Sequence, residues 1–496
     1  MKNNVLIIIL LIIVVRFSSQ AQVAQQGQIT KNKPNVLFIF IDDLRPELGA
    51  YGNENVHSPE LDAVAQEGIL FTKQYVTVPT CGASRYSLLR SMLPRSKAEL
   101  GNEAANILSS PNGQQKDEPE TFIEQFRRNG YYTIGMGKIS HSADGYIYPY
   151  TEKKSNRQEL PNSWDEFLFN PGKWETGWNA FFAYADGSNR NSKKGLVKPY
   201  EIGETDDLGY PDGLTAQLAI SKLKELSAKE KPFFMGVGFF KPHLPFNAPK
   251  KYWELYDEAS LPLSPTLEIP KHVNQTSLYG SAEFNQYKLG EEKASLDSSL
   301  SEPYARKLIH GYYASISYID AQVGKLVKAL KETGLDKNTI IVIWGDHGWH
   351  LGDYRVWGKH TLFDRSLRST FIMKVPQLKP GKKIDRVISS IDIGPTLLEL
   401  CNLPSMETDG RSFSSLFYDP STTKWDDVAY SYFNDGISVV SDRYRLTKYF
   451  REAKPTVELY DHRRAPLEAE NIAEQVEIPA KIEKLWQQGN TGLYNH

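Results

Sequence analysis

Apolar residues gather into short runs that end in acids, lysines or histidines. Asn35 to Ile41 leads into Asp42-Asp43, and Tyr131 to Gly135 into Gly137-Lys138 and then His141. Phe233 to Phe240 leads into Lys241-Pro242-His243, and Thr339 to Trp344 into Gly345-Asp346-His347. Phe371 to Val375 is a fifth run. Runs that are apolar throughout, rather than alternating, suit strands of a parallel sheet covered on both faces. Helical patterns lie between them. Ser58-Pro59 reads as an N-cap and a first-turn proline, with Leu61, Val64 and Ala65 inward and Gly68 as the stop. Ile316, Ile319, Val323, Leu326, Val327 and Leu330 keep helical spacing, and Gly334 closes that helix. Strands alternating with helices predict an α/β sandwich. In such open sheets, ligands bind beyond the carboxyl ends of the strands. Four strands that deliver Asp, Lys or His at that end predict one polar pocket.

The pattern changes after about residue 403. Runs at Val428 to Tyr432, Ile437 to Val440, Tyr444 to Tyr449 and Val457 to Tyr460 are spaced like an antiparallel meander, and Ile478 to Gln487 reads as a closing helix. Residues 404–496 are therefore expected to form a smaller α+β domain. Stretches 142–215 and 251–305 carry few periodic signals and read as long loops over the sheet edge, where specificity usually resides.

The remaining bulk features narrow the class. Lys2, the apolar run Val5 to Val15, Arg16 and the small residues of Ser19-Gln20-Ala21 form a signal-peptide pattern over residues 1–21. The run is too short for an ordinary membrane span. A secreted or periplasmic protein is expected, without stable membrane insertion. A net charge of −2 argues against a nucleic-acid surface. Of the two cysteines, Cys401 lies in an apolar stretch and reads as a small buried hydrophobe. A disulfide with Cys81 is the bland alternative in an oxidising compartment, but the surroundings of Cys81 suit another role.

Asp42-Asp43 and Asp346-His347 are two ligand pairs at equivalent strand ends. Clustered carboxylates repel one another unless a cation is present, and oxygen-rich sites favour Ca²⁺ or Mg²⁺. For either pair alone, helix capping is the simpler explanation. Cys81 precedes Ser84-Arg85-Tyr86-Ser87-Leu88-Leu89, which reads as a helix start. Its dipole and Arg85 favour an anion or a nucleophile there, and a thiolate is the direct candidate.

Cys81-Gly82-Ala83-Ser84-Arg85 resembles the Cys-x-Pro/Ala-x-Arg signature of type I, formylglycine-dependent sulfatases. Other segments match in family order: Pro34-Asn35-Val36-Leu37 with Asp42-Asp43-Leu44-Arg45-Pro46, Gly137-Lys138 with His141, Lys241-Pro242-His243, Gly345-Asp346-His347-Gly348-Trp349 with Lys359, and Glu458-Leu459-Tyr460-Asp461 with Asn471. The likeness is greatest to the iduronate-2-sulfatase-like branch. Arg90-Ser91 departs from the family's usual Thr-Gly.

The resemblance implies an alkaline-phosphatase-like sandwich with a large, mostly parallel sheet, and a catalytic domain over residues 22–403. It implies that Cys81 becomes formylglycine (3-oxoalanine) through a formylglycine-generating enzyme. Asp42, Asp43, Asp346, His347 and residue 81 would hold one Ca²⁺. Arg85 would help activate the nucleophile, and Lys138 and Lys359 would neutralise sulfate. His243 would contact the sulfate or the leaving alcohol, and His141 would take a proton from the hydrated aldehyde. The implied activity is sulfate-ester hydrolysis on a sulfated oligosaccharide or polysaccharide, with a uronic-acid 2-O-sulfate as the specific expectation. A phosphate or phosphonate ester hydrolase of the same superfamily is the alternative. His57, His350 and His360 have no assigned role beyond that of potential substrate contacts.

Overall fold

The computed structural model describes residues 33–108 and 120–494. The signal-peptide pattern lies outside the described residues. An eight-stranded sheet organises the chain. In space its strands run Lys382–Ser389, Ile69–Tyr75, Phe371–Lys374, Thr339–Gly345, Asn35–Ile41, Phe233–Phe239, Tyr132–Gly137 and Glu166–Leu168.

The central strand shows why unbroken apolar runs build this sheet. Leu37, Ile39 and Ile41 enter one core, while Val36, Phe38 and Phe40 enter the other. All six are fully buried. Alternation therefore separates two cores rather than core from solvent. Each such side chain contributes about 1.5–3 kcal/mol of transfer free energy. Helices Pro59–Glu67, Pro211–Leu226 and Glu302–Thr333 cover one face; Cys81–Arg90, Phe122–Arg128 and Ile393–Leu400 cover the other.

Several expectations change in detail. The Phe371–Lys374 strand, whose direction the run did not indicate, is antiparallel to both neighbours, and the sheet is mostly parallel as the resemblance implied. Ile69–Tyr75 and Lys382–Ser389 extend it and pair with each other in parallel. Ser58 occupies the N-cap position of its helix but caps nothing there. Asp320, on the long helix, receives Leu61 N at 2.7 Å and Glu60 N at 3.3 Å instead. Gly68 and Gly334 do end their helices. The "loop" 142–215 contains the start of the Pro211–Leu226 helix, and the long helix begins at Glu302, inside the second such stretch.

The four-stranded antiparallel sheet Val428–Phe433, Gly436–Ser441, Tyr444–Tyr449, Thr456–Asp461 follows, with helix Ala480–Gly489 packed on it. A buried ion cluster ties this sheet to the larger one. Glu468 accepts from Arg445 Nε at 2.6 Å, His462 Nε2 at 2.7 Å and the backbone N–H of Asp364 at 2.9 Å.

Candidate active site

Register brings the strand ends level. Ile41 pairs with both Gly345 and Phe239, and Gly137 pairs with Gly238. The next residues, Asp42, Asp346 and Lys138, therefore emerge side by side. Gly137 takes a left-handed φ of 68°, and a Cβ there would lie 2.1 Å from Gly238 O. Only glycine lets the chain turn so close to its neighbour and aim Lys138 inward. Asp43 also has a left-handed φ, 59°. Its N–H donates to Asp346 Oδ1 at 2.9 Å, and its carbonyl accepts from Tyr312 at 2.7 Å. Strain of this kind persists where surrounding bonds over-determine it, which is common at functional sites.

Residue 81 is the first residue of helix Cys81–Arg90, with Thr80 extended before it. A Cβ on Gly82 would meet Asn102 O at 2.2 Å, so the signature's second position has no room for a side chain. Gly82 N donates to Asn102 Oδ1 at 3.1 Å. At the far end of this helix, Ser91 takes a φ of 55° as C-cap. That is the conformation a glycine adopts without cost.

Asp42, Asp43, Cys81 and His347 each offer a ligand atom within 4.8 Å of the others. His347 Nε2 lies 3.2 Å from Cys81 Sγ and 3.4 Å from Asp43 Oδ1. Asp346 adjoins this group, but its carboxylate faces Arg85 Nε at 2.8 Å and Asp43 N. Arg85 is fully engaged: it also donates to Lys138 O, Ile139 O and Asp42. Lys138 Nζ stands 2.5 Å from Asp42 and 4.3 Å from the Phe181 ring centre. Lys359 Nζ stands 3.0 Å from Asp43.

The histidines lie around this centre. His243 Nδ1 faces Leu244 O at 2.6 Å, leaving Nε2 toward Glu283 at 2.9 Å and Asp43 at 3.9 Å. Lys241, beneath it, donates to the carbonyls of His243 and Pro245 and fixes that segment. His141 Nε2 meets Tyr150 OH at 3.1 Å, while its buried Nδ1 has no partner among the described residues. His360 lies at the rim, 3.8 Å from Glu283. His350 is buried against Thr361, and His57 packs on Tyr256 at the far surface.

Charge is closely balanced. Burial alone would raise the Asp42 carboxyl, but Lys138 and Arg85 hold it well below the ordinary range. Burial pushes Asp43 up to about 7, against Lys359 and His347. Burial and then Asp42 push the Cys81 thiol well above its usual value, so a free thiolate is disfavoured despite the helix start. Burial and then Lys138 hold His141 well below 6.5. Cys81 and Cys401 are both free and buried, so no disulfide joins them. Cys401 is part of the core, as its apolar setting suggests.

Glu283 is a central contact that the sequence pattern does not reveal. It comes from an aperiodic loop and meets His243 and, at 3.2 Å, Lys359. A cavity of about 580 Å³ opens beside His141, walled by Tyr150, Trp178, Asn102 and Glu159.

Known proteins resemble this chain in sequence and fold. The Sulfatase family matches residues 34–403, and the family described as N-sulphoglucosamine sulphohydrolase, C-terminal, matches 352–491. A sulfatase from Formosa agariphila is 28% identical over 496 residues, covering 96% of this chain and 90% of that one. Iduronate 2-sulfatase from Mus musculus is 28% identical over 413 residues, covering 77% of this chain and 71% of that one. The phosphonate monoester hydrolase of Agrobacterium radiobacter superposes with a TM-score of 0.69 at 21% identity, covering 93% of this chain and 94% of that one. The fold is alkaline-phosphatase-like. Because the Sulfatase match takes in every strand end of the pocket, residue 81 and Lys359, the chain belongs to the sulfatase family.

Proposed function

We propose that this protein hydrolyses sulfate esters on a sulfated carbohydrate, through formylglycine made from Cys81 and with one bound Ca²⁺. The carrying observation is the position of residue 81: a helix start, within 4.8 Å of ligand atoms from Asp42, Asp43 and His347. Those residues fit a hard divalent cation. Three buried acids, Asp42, Asp43 and Asp346, and the half-buried Glu283 face three fixed cations, Arg85, Lys138 and Lys359. A divalent cation held by the first two acids, His347 and residue 81, with Asp346 adjoining, would turn the excess of acid into an excess of positive charge that suits an anionic ester, and would supply Lewis acidity. Formylglycine, when hydrated, supplies a nucleophilic oxygen and a second hydroxyl that lets the group regenerate without water attacking sulfur.

The chain's own residues do the rest. Arg85 orients Asp42 and Asp346. Lys138 and Lys359 offset charge on the sulfate oxygens in a water-poor site. His141, kept neutral, accepts a proton at Nδ1, and His243 presents Nε2 to the substrate. Cys81 is 3% exposed, so the modifying enzyme must act before the chain folds. The aromatic wall beside His141 and the names of the relatives support a carbohydrate substrate, with a uronic-acid 2-O-sulfate as the specific reading. Export by residues 1–21 accords with such a substrate. Among the described residues, no helix is long and apolar enough to cross a membrane.

The likeness to a phosphonate monoester hydrolase favours testing a second activity. Purified protein, co-produced with a formylglycine-generating enzyme, should hydrolyse 4-nitrophenyl sulfate with a higher kcat/KM than 4-nitrophenyl phosphate or phenylphosphonate. The reverse order would replace the sulfatase reading.

A further inference from the structure

Arg190 lies outside every contact described above. Its residue is 8% exposed, yet among the described residues no carboxylate stands within ion-pair distance of its guanidinium. The guanidinium carbon sits over Phe182, 3.6 Å from the ring centre, and 5.4 Å from the ring centre of Tyr287. The Tyr287 hydroxyl is buried and lies within side-chain reach of this guanidinium, with no other partner among the described residues. A buried cation without a counter-charge is costly, and a structural arginine is normally paired. Stacking fixes the guanidinium plane while leaving its N–H edge for a planar or multidentate anion.

Arg190 adjoins the active-site pocket through the Phe182 ring. Phe182, on which Arg190 lies, is 6.4 Å from the His243 ring and 5.7 Å from the Tyr150 ring. Tyr150 in turn bonds His141. On the other side, Tyr287 is influenced by both Arg190 and Glu283. Glu283 does not neutralise Arg190, because its oxygens meet His243 and Lys359. The pocket thus has a centre of paired charges and, a single ring away from His243, a cation with no ion-pair partner among the described residues.

We propose that Arg190 receives a second anionic group of the substrate, a carboxylate or another sulfate on the sugar whose ester is cleaved. The inference rests on the sulfatase reading and narrows its substrate class to doubly anionic sugars. It makes Arg190 a specificity residue.

The test compares kcat/KM for a 2-O-sulfated hexuronic acid glycoside with that for its carboxyl methyl ester, and for a disulfated against a monosulfated hexose. Wild-type protein should favour the doubly anionic member of at least one pair by roughly 30-fold or more. R190Q should bring that ratio close to one, mainly through KM, and R190K should fall between. The pair that responds identifies the second anion as carboxylate or sulfate. Equal rates on both members of both pairs with wild-type protein would overturn the inference without any variant. So would an R190Q protein that keeps the wild-type ratio. Calorimetric titration of C81S protein with the same sugars gives the ratios without turnover. Failure of the hydrolase reading and failure of this inference are therefore separate results.

Discussion

Lys138 and Lys359 are buried ammonium groups, each beside an acid at residue 42 or 43. In the proposed reaction they offset sulfate charge where solvent screening is weak, so each should matter more than a surface lysine. K138A and K359A are each expected to lower kcat/KM on 4-nitrophenyl sulfate by about 10²–10³-fold. A loss below threefold would place that lysine outside the chemistry. His141 gives a pH prediction. Burial and Lys138 hold its pKa well below 6.5, and in its proposed role as general base it is active when neutral. The acid limb of kcat/KM therefore lies well below pH 6.5, with activity holding as pH drops through that value. A limb centred near 6.5 that vanishes in H141Q would show an unshifted base and refute the burial argument.

At the level of elements, the start of helix Cys81–Arg90 depends on the missing side chain of Gly82. G82A forces a methyl against Asn102 O, and expulsion of the Asn102 segment should cost about 1–3 kcal/mol. Chemical denaturation should show this loss together with a marked loss of activity; a fully stable, fully active G82A would mean that the segment yields freely. The Glu468 cluster holds the small sheet to the large one. Burial would raise this carboxyl, but Arg445 and His462 hold it well below 4.5. A depressed carboxyl stabilises the fold above its unfolded pKa and loses that contribution as pH falls below it. E468Q leaves Arg445 buried without its partner and should cost about 3 kcal/mol at pH 7. It should also flatten the decline in stability below pH 4.5. Thermal melts from pH 7 to pH 3 measure both effects.

Across the whole molecule, the legible part of the sequence was the part set by local pattern. Apolar runs ending in Asp42, Lys138, His243 and Asp346 marked four adjacent strands, because a strand buried on both faces has no polar alternation. A run's direction is not written in its composition, so Phe371–Lys374 gave no sign of being antiparallel. Ile69–Tyr75 and Lys382–Ser389 escaped notice because Lys73, Gln74, Lys382, Lys383, Asp385 and Arg386 break their apolar pattern. Glu283 and Arg190 lie in aperiodic segments placed only by tertiary contacts. Asp320 caps a helix from 259 residues away, a relation no local window contains. The signature at Cys81 was legible as a motif, but its meaning depended on strand ends distant in the chain.

The most direct test of the account is the chemical state of residue 81. The protein should be made with and without an active formylglycine-generating enzyme. Mass spectrometry of the peptide carrying residue 81 should then be set beside sulfatase activity in the same samples. The account predicts that activity rises in proportion to the aldehyde fraction and is absent from C81A. Full activity in a sample whose peptide contains only unmodified Cys81 would contradict it.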